Sequence, residues 1–227
     1  MKPILLFDID GTLLHVKRSF LFEIIDQILI ELNISKDVIK QVSFAGRTDR
    51  DIFLQLISNN GIANDSSFEK VKQLYVDAMQ SHLSHEHVEE IPGAAEAVHF
   101  ARSSGLDVGL CTGNFEEVAF KKVEAAGLAD LFDFGGYGCN HKDRIYLPED
   151  AHKSYTALKK SKPHPSQYVV IGDTPNDIRC AKHFGARSIA VTTGSFNESQ
   201  LKPHKPDYIF DGLGNPDKWI DLLREEV

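Results

Sequence analysis

The sequence predicts an α/β fold, in which a parallel sheet covered by helices on both faces is interrupted by an all-helical block. Residues 4–7 form a short apolar run bounded by turn residues, which is typical of a buried parallel strand. Residues 15–90 show helical periodicity and no convincing strand. From residue 91 onward, apolar strands and amphipathic helices alternate, as they do in parallel sheets.

The all-helical block is predicted to contain three helices. Two of them span residues 48–60, where Gly61 is a good stop, and residues 66–82. The first of the three has an apolar face with a spacing of three and four residues. That face is formed by Phe20, Ile24, Ile25, Ile28, Leu29 and Leu32.

The position of this block predicts two domains. The first strand has no α/β partner beside it in sequence, so the block most simply interrupts the α/β domain as an inserted cap. The joints are expected near residues 14–17 and 87–92. The predicted domains are an α/β core of residues 1–15 and 90–227 and a helical cap of residues 16–89.

The second half of the chain supplies the remaining elements of the core. Helices are predicted over residues 94–103, 115–126, 147–160, 176–184 and 216–226. Strands are predicted over residues 106–111, 168–171, 188–191 and 208–210, with a short apolar piece at 132–134.

Composition limits the class of protein. The 227 residues are 42% hydrophobic, which is ample for a buried core. A formal charge of −8 argues against nucleic acid or an anionic membrane as a partner, because both require a basic surface. The three cysteines form no Cys-x-x-Cys pair and suit a reducing compartment. We therefore expect a cytoplasmic, soluble protein, in which a small anion could still bind at a local cationic site.

Two aspartates at the end of the first strand predict chemistry. Asp8 and Asp10 directly follow the apolar run, where the carboxyl end of a parallel strand opens into a crevice. Holding a carboxylate near a sheet core costs several kcal/mol unless a cation pairs with it. Two adjacent acids therefore indicate a metal ion, or a nucleophile together with a proton carrier.

Two more strand ends carry polar groups. The strand at 106–111 leads into Thr112, Gly113 and Asn114, a hydroxyl and bare backbone that form an anion site before a helix. The strand at 168–171 leads into Gly172 and residues that include Asp173 and Asp177. Together with the first two aspartates these acids form an oxygen-rich pocket that suits Mg²⁺.

These motifs together resemble those of the haloacid dehalogenase superfamily, in the branch of phosphoglycolate-phosphatase-like hydrolases. Residues 8–12 match its first motif, Asp-x-Asp-Gly-Thr, Thr112 matches the second, and residues 172–177 match the fourth, Gly-Asp-x-x-x-Asp. The resemblance covers nearly the whole chain, because the helical block matches the family's small α-helical cap. It implies a Rossmann-like core with a C1-type all-α cap.

The resemblance also implies roles for the motif residues. Asp8 would be the nucleophile that takes the phosphoryl group. Asp10 would be the general acid that protonates the leaving oxygen and later activates water. Thr112 and the amides near Gly113 and Asn114 would bind phosphate oxygens.

A metal site follows from the same resemblance. Mg²⁺ would be held by Asp8, the backbone carbonyl of Asp10 and Asp173, with Asp177 in support directly or through water. The implied activity is Mg²⁺-dependent hydrolysis of a small phosphate monoester, phosphoglycolate-like or a sugar phosphate, through an aspartyl-phosphate intermediate.

The third motif departs from the family pattern. The family usually places a lysine before a proline at the start of the helix that precedes the fourth motif. Lys162 is followed by a proline, but it stands only eleven residues before Asp173 and leaves no room for that helix. Arg144 precedes the helix and can hold phosphate oxygens bidentately, which makes it the predicted basic residue. Lys142 is the second choice.

One segment of the cap resembles the part with which such caps reach over the active site. Residues 44–51 read Phe-Ala-Gly-Arg-Thr-Asp-Arg-Asp, which predicts that Arg47 lies near the distal end of the substrate. The same segment is also explained by Thr48 capping the helix that begins at Asp49, and the two readings are compatible.

Two other functions stay open. Dehalogenases of the superfamily lack the second acid, so Asp10 favours phosphoryl chemistry. A sugar-phosphate mutase resembling β-phosphoglucomutase keeps both acids and a helical cap. A non-catalytic phosphate-binding protein is the third possibility, although none of Asp8, Asp10 and Asp173 is missing. The physiological substrate and the oligomeric state do not follow from the sequence.

Overall fold

Six strands form one parallel sheet at the centre of the computed structural model, which describes residues 2–59 and 65–225. The order in this sheet is β5-β4-β1-β6-β7-β8. Two further strands, β2 and β3, form a separate antiparallel pair. The strands are β1 (Ile4–Phe7), β2 (Leu14–Val16), β3 (Val88–Glu90), β4 (Asp107–Thr112), β5 (Gly135–Tyr137), β6 (Tyr168–Gly172), β7 (Arg187–Val191) and β8 (Tyr208–Phe210).

The position of β1 decides where the site lies. Its four residues are all buried, and Phe7 lies opposite Leu110 of β4 and Ile171 of β6. The residues that follow these three strands therefore emerge side by side at one edge of the sheet. From β1 the chain builds outward through β4 and β5 and then resumes on the other side at β6, and such a switch opens a crevice at the carboxyl ends of the strands.

Helices cover both faces of this sheet, so the predicted α/β class is confirmed. Leu5 and Phe7 of β1 belong to an apolar cluster that continues into the first three helices, whereas Ile4 and Leu6 face a second cluster on the other side. The helices of the described chain are α1 (Arg18–Glu31), α2 (Asp49–Ser58), α3 (Asp65–His82), α4 (Ala94–Ser103), α5 (Glu116–Ala125), α6 (Leu147–Lys159), α7 (Pro175–Phe184), α8 (Glu198–Leu201) and α9 (Pro216–Glu225).

Helices α1, α2 and α3, which we call the helical insert, lie in the chain between β1 and β4. The predicted apolar face of α1 is buried except at Leu32, which is half-buried. Helix α2 begins at Asp49 because Thr48 caps it: the Thr48 hydroxyl oxygen accepts a hydrogen bond from the Asp51 amide at 3.1 Å. The predicted stop at Gly61 lies outside the described residues.

The prediction that residues 15–90 contain no strand is wrong at both ends of that range. Strand β2 pairs antiparallel with β3, with Leu14 opposite Glu90 and Val16 opposite Val88. Strands of three residues are too short to show an alternating pattern. This pair lies where the chain enters and leaves the helical insert, close to the predicted domain joints.

The strand expected at residues 132–134 is shifted to β5. Phe132 and Phe134 are buried core residues, while the sheet pairing begins at Gly135. Glycine is a poor strand former, so strand propensity favoured the two phenylalanines over Gly135 and Gly136 as strand residues. Helix α6 passes so close to β5 that a Cβ on Gly136 would lie 1.9 Å from the Leu147 carbonyl oxygen, which explains the glycine. In the described residues, no helix has the length and hydropathy needed to cross a membrane.

Candidate active site

Three aspartates meet where β1 and β6 end. Asp8 follows β1, Asp173 follows β6, and Asp177 lies in the first turn of α7. All three are buried, and one carboxylate oxygen from each lies within 4.8 Å of the others. The parallel pairing of β1 with β6 brings the first two together, and the turn into α7 adds the third.

The charge of this cluster is only partly balanced by the protein. Burial, with the neighbouring carboxylates of Asp177 and Asp8, raises the pKa of Asp173 to about 8. Burial also raises the pKa of Asp8 to about 6, although Arg144 opposes the shift. Among the described residues, the buried Asp173 Oδ1 has no hydrogen-bond partner. An additional cation would stabilise all three ionised acids.

The donor set fits a hard divalent ion. Carboxylate oxygens are the ligands that Mg²⁺ prefers. The backbone forms a close wall around Asp173, since a Cβ on Gly11 or Gly194 would lie 2.6 or 1.7 Å from its Oδ2 atom. Asp8, Asp173 and Asp177 are therefore the residues that could hold the ion.

Arg144 is the cation that reaches this cluster. It begins a short 3-10 turn before α6 and is 4% exposed. Its Nη2 atom lies 2.9 Å from Asp8 Oδ2, donates to Asp177 Oδ1 at 2.5 Å and to the Cys111 carbonyl at 3.2 Å. Lys142 is exposed, and so is Lys162, which lies in the loop before β6.

The segment after β4 lies beside the first two aspartates. Asn114 is buried, and its Nδ2 atom donates to Thr112 Oγ1 at 2.8 Å and to Asp10 Oδ2 at 2.7 Å. Gly113 is in direct contact with the helical insert, because a Cβ there would lie 2.1 Å from the Arg47 carbonyl oxygen. The predicted anion-binding segment thus borders both the aspartates at the carboxyl edge of the sheet and the loop that leads into α2.

Sequence reasoning missed Lys122, which lies on the buried face of α5. Its ammonium group donates to both carboxylate oxygens of Asp10, at 2.8 and 2.7 Å, and the residue is 3% exposed. Burial alone would raise the pKa of Asp10, but Lys122 and Asn114 together hold that pKa below its usual value. The sequence signal that could have indicated its burial was its spacing, since Lys122 lies on the same helix face as the apolar residues Val118 and Ala119.

This pairing is compatible with the prediction that Asp10 would serve the metal through its backbone carbonyl. The carboxylate of Asp10 faces Lys122 and Asn114 and is not one of the three that cluster within 4.8 Å. Only the backbone carbonyl of Asp10 is left as the ligand that the family resemblance implies. The carboxylates of Asp8 and Asp177 both belong to the cluster and both pair with Arg144.

Arg47 lines the cavity, but its guanidinium group is bound within the insert. Its Nε atom donates to Asp51 Oδ2 at 2.7 Å, and its Nη1 atom donates to Gln55 Oε1 at 2.6 Å. The prediction of a substrate contact, made from the segment alone, could not account for these partners on α2. The other reading, in which Thr48 caps α2, is confirmed.

The start of α2 binds the helical insert to the core. The Thr48 hydroxyl donates to the Lys142 carbonyl at 3.0 Å, and the Asp49 amide donates to the Gly113 carbonyl at 2.7 Å. Asp49 Oδ2 accepts a hydrogen bond from the Phe115 amide at 2.9 Å. Burial raises the pKa of Asp49 to about 6, although Lys122 opposes the shift. Asp49 is the second residue of the site that the sequence did not single out.

A cavity of about 290 Å³ joins these groups. Its core side contains Asp8, Asp10, Lys122, Arg144 and Asp173, and its other side is formed by the helical insert. A small molecule bound here would contact both parts of the chain.

Comparison with known proteins agrees with this geometry. Residues 5–191 match the haloacid dehalogenase-like hydrolase family. Over 219 residues the chain is 22% identical to a phosphoglycolate phosphatase of Pseudomonas putida, covering 94% of this chain and 78% of that protein. It is 24% identical to the pyrophosphatase PpaX of Bacillus mycoides, covering 92% and 93% of the two chains. A solved β-phosphoglucomutase of Clostridium difficile superimposes with a TM-score of 0.71 at 16% identity, covering 100% and 98%.

The chain belongs to the haloacid dehalogenase-like hydrolase family. The resemblance carried by its motifs is confirmed, as is the predicted enzyme class of a phosphatase-type hydrolase. The likeness to the mutase is one of fold.

Proposed function

We propose that this protein hydrolyses a small phosphate monoester through an aspartyl-phosphate on Asp8, with Mg²⁺ as its cofactor. The observation that carries the proposal is the pair of environments on either side of Asp8. On one side lie Asp173, Asp177 and Arg144, and on the other lies Asp10 with its Lys122 partner. One side suits a phosphate with its counterion, and the other suits proton transfer.

Binding of the phosphate depends on cancelling its charge. Asp8, Asp173 and Asp177 would hold Mg²⁺, which when bound would supply Lewis-acid polarisation of the phosphoryl oxygens. Arg144, buried and fixed by the Cys111 carbonyl, adds a permanent positive charge beside Asp8. Thr112 and the backbone amides near Gly113 and Asn114 are the proposed hydrogen-bond donors to the remaining phosphate oxygens.

The reaction then has two steps. A carboxylate oxygen of Asp8 attacks phosphorus, the bond from phosphorus to the ester oxygen breaks, and Asp10 gives its proton to the departing alcohol. Water next attacks the aspartyl-phosphate, Asp10 takes up a proton from that water, and phosphate and Asp8 are released. The incoming phosphate dianion favours the protonated form of Asp10, against the effect of Lys122.

We assign the role of a cap to the helical insert, with the predicted boundaries at residues 16 and 89. Its contacts through Thr48 and Asp49 join it to the core beside the cavity that Asp8 lines. Exclusion of bulk water strengthens the interaction of the phosphate with its counter-charges and protects the acyl phosphate. A small phosphorylated metabolite is the proposed substrate.

The test is release of inorganic phosphate from a panel of small monoesters by purified protein, with Mg²⁺ or with EDTA. Release that requires Mg²⁺ and is abolished in Asp8→Asn supports the proposal. The matched control is Asp77→Asn, which removes an exposed acid of α3 and should leave turnover unchanged. Appreciable turnover by a folded Asp8→Asn protein would rule out the nucleophile.

A mutase is the second candidate, because it would use the same two acids and the same kind of helical insert. It would move the phosphoryl group between two positions of one sugar without net release of phosphate. Isomerisation of a sugar phosphate with no free phosphate would therefore favour the mutase. Phosphate binding without turnover of any ester would favour a binding protein.

A further inference from the structure

The half of the cavity that the helical insert forms is largely apolar. Its side chains come from all three helices of the insert and from the loop before α2. They are Leu21 and Ile25 of α1, Phe44 of the loop, Ile52 and Phe53 of α2, and Tyr75 of α3. The ring of Tyr75 packs against Phe53, with the ring centroids 4.8 Å apart. A group that enters this half of the cavity leaves water for a hydrocarbon surface.

Three cations of the cavity are already paired with carboxylates. A substrate carboxylate would have to compete for them with groups held in place by the fold. The pairs are Lys122 with Asp10, Arg144 with Asp8 and Asp177, and Arg47 with Asp51. The remaining basic side chains of the lining, His15 and Arg18, are exposed.

Asp49 adds a negative group to the same space. Its carboxylate lines the cavity and is held by the Phe115 amide. Burial and the nearby carboxylates of Asp49 and Asp10 keep the pKa of the Tyr75 hydroxyl well above its usual value, so this hydroxyl stays uncharged. The negative charge of Asp49 and the uncharged Tyr75 hydroxyl therefore favour a neutral ligand over an anionic one.

We propose that this half of the cavity binds the alcohol part of the ester, and that this part is a small, uncharged and largely apolar group. The inference rests on the proposed phosphatase activity and narrows its substrate class. Esters with a carboxylate close to the phosphate, such as phosphoglycolate, are poor substrates of this chain. A cavity of about 290 Å³ that also holds the phosphoryl group limits the alcohol to a small one.

Two matched pairs of esters test the charge and the polarity separately. Phosphoglycolate and its amide, phosphoglycolamide, differ only in a carboxylate against a carboxamide. Benzyl phosphate and glucose 6-phosphate compare an apolar alcohol with a polar one. We expect kcat/KM to be at least about tenfold higher for the amide than for phosphoglycolate, and higher for benzyl phosphate than for glucose 6-phosphate. Equal or better use of phosphoglycolate would overturn the inference.

Variants of the insert test the assignment to this surface. Asp49→Asn keeps an acceptor for the Phe115 amide but removes the charge, so the preference for the amide over phosphoglycolate should shrink several-fold. Asp77→Asn, which removes an exposed charge of the insert, should leave that ratio unchanged. Leu21→Lys, at a half-buried position of the lining, should raise kcat/KM for phosphoglycolate and serves as an independent test if Asp49→Asn folds poorly. An unchanged ratio in both folded lining variants would contradict the assignment.

The outcomes separate the two proposals. Absence of Asp8-dependent phosphate release from all four esters would refute the phosphatase activity itself. Asp8-dependent release that is fastest with phosphoglycolate would leave the activity intact and refute only the substrate class.

Discussion

The ammonium group of Lys122 contacts both carboxylate oxygens of Asp10, at 2.8 and 2.7 Å, from the buried face of α5. This contact joins a helix of the core to the residue proposed to carry the proton. The side chain of Lys122 is 4% exposed and that of Asp10 is 42% exposed, so the lysine is fixed by the core while the acid opens to the cavity. Lys122 is therefore placed to orient Asp10 towards a ligand.

Replacement of Lys122 should slow turnover in a way that depends on the leaving group. Lys122→Ala should lower kcat for an alkyl phosphate by roughly 10²-fold, which is the lower range for loss of general acid–base catalysis. The loss should be much smaller for p-nitrophenyl phosphate, whose leaving group departs without a proton. Steady-state kinetics with both esters measure the difference.

Two controls separate this role from a structural one. Lys122→Arg should recover part of the activity, because it keeps a cation beside Asp10. Lys121→Ala removes the neighbouring lysine of α5, which pairs with Glu124, and should have little effect. An equal loss for both esters in Lys122→Ala would mean that Lys122 acts on the phosphoryl group and not through Asp10.

Mg²⁺ should stabilise the protein more strongly at high pH than at low pH. The folded-state pKa of Asp173 is raised from 3.8 to about 8, so the fold favours its protonated form. The stability that this acid contributes to the metal-free protein is present below pH 3.8 and is lost as the pH rises to about 8. A metal ion requires the ionised form, so its binding releases protons and strengthens over the same window.

Thermal unfolding with and without Mg²⁺ at pH 6 and pH 8 checks this prediction. At 100 times Kd a ligand adds about 2.7 kcal/mol to the free energy of unfolding, which raises Tm by roughly 5–10 °C for a chain of this size. We expect the larger shift at pH 8. Asp173→Asn should remove most of the shift and Asp77→Asn should keep it. A shift that is as large at pH 6 would contradict the assignment of Asp173 to the metal.

The strand-end acids could be placed from sequence because a parallel sheet aligns its carboxyl ends. Asp8 follows a buried apolar strand, Asp173 follows another, and the pairing of β1 with β6 brings them together. The insertion of the helices followed in the same way from a change of periodicity. These inferences use only the local hydrophobic pattern and the rule that the carboxyl ends of parallel strands meet at one edge of the sheet.

Lys122, Asp49 and Arg47 show where such reasoning ends. A lysine on an apolar helix face marks an unusual position but does not identify its partner, which is 112 residues away in sequence. Asp49 reads as an ordinary first-turn acid until α2 is placed against Phe115. The direction of the Arg47 side chain depends on competition among Asp51, Gln55 and any ligand, and spacing does not decide it.

Arg144 should prove to be the basic residue of the third motif. Arg144→Ala removes the cation that Asp8 and Asp177 share, so we expect weaker phosphate binding and a loss of about 3–5 kcal/mol in the free energy of unfolding. Competitive inhibition by inorganic phosphate and denaturant unfolding measure the two effects. Arg144→Lys should retain part of the phosphate binding and part of the stability.

Lys162→Ala, at an exposed position, is the control for this prediction. Its free energy of unfolding should stay within about 0.5 kcal/mol of that of the unmodified protein. The reverse ranking of the two variants would assign the third motif to Lys162.

Gly113→Ala should separate the helical insert from the core without unfolding the core. A Cβ at this position would lie 2.1 Å from the Arg47 carbonyl oxygen and 3.1 Å from the Thr48 Cα atom, and both are backbone atoms that cannot move alone. Relief requires the start of α2 to move away, which breaks the hydrogen bond from the Asp49 amide to the Gly113 carbonyl. We expect kcat/KM to fall at least about tenfold, as a cost of roughly 1–3 kcal/mol for overpacking implies.

Protease sensitivity of the insert, compared with that of the core, shows whether the two parts have separated. Gly212→Ala is the matched control, since its Cβ would lie 3.5 Å from Thr193 Cγ2, an ordinary contact. Faster cleavage within the insert of Gly113→Ala, with kinetics of Gly212→Ala unchanged, is the expected result. Normal activity of Gly113→Ala would show that catalysis tolerates a displaced insert, and the closed contact at Asp49 would then have no part in turnover.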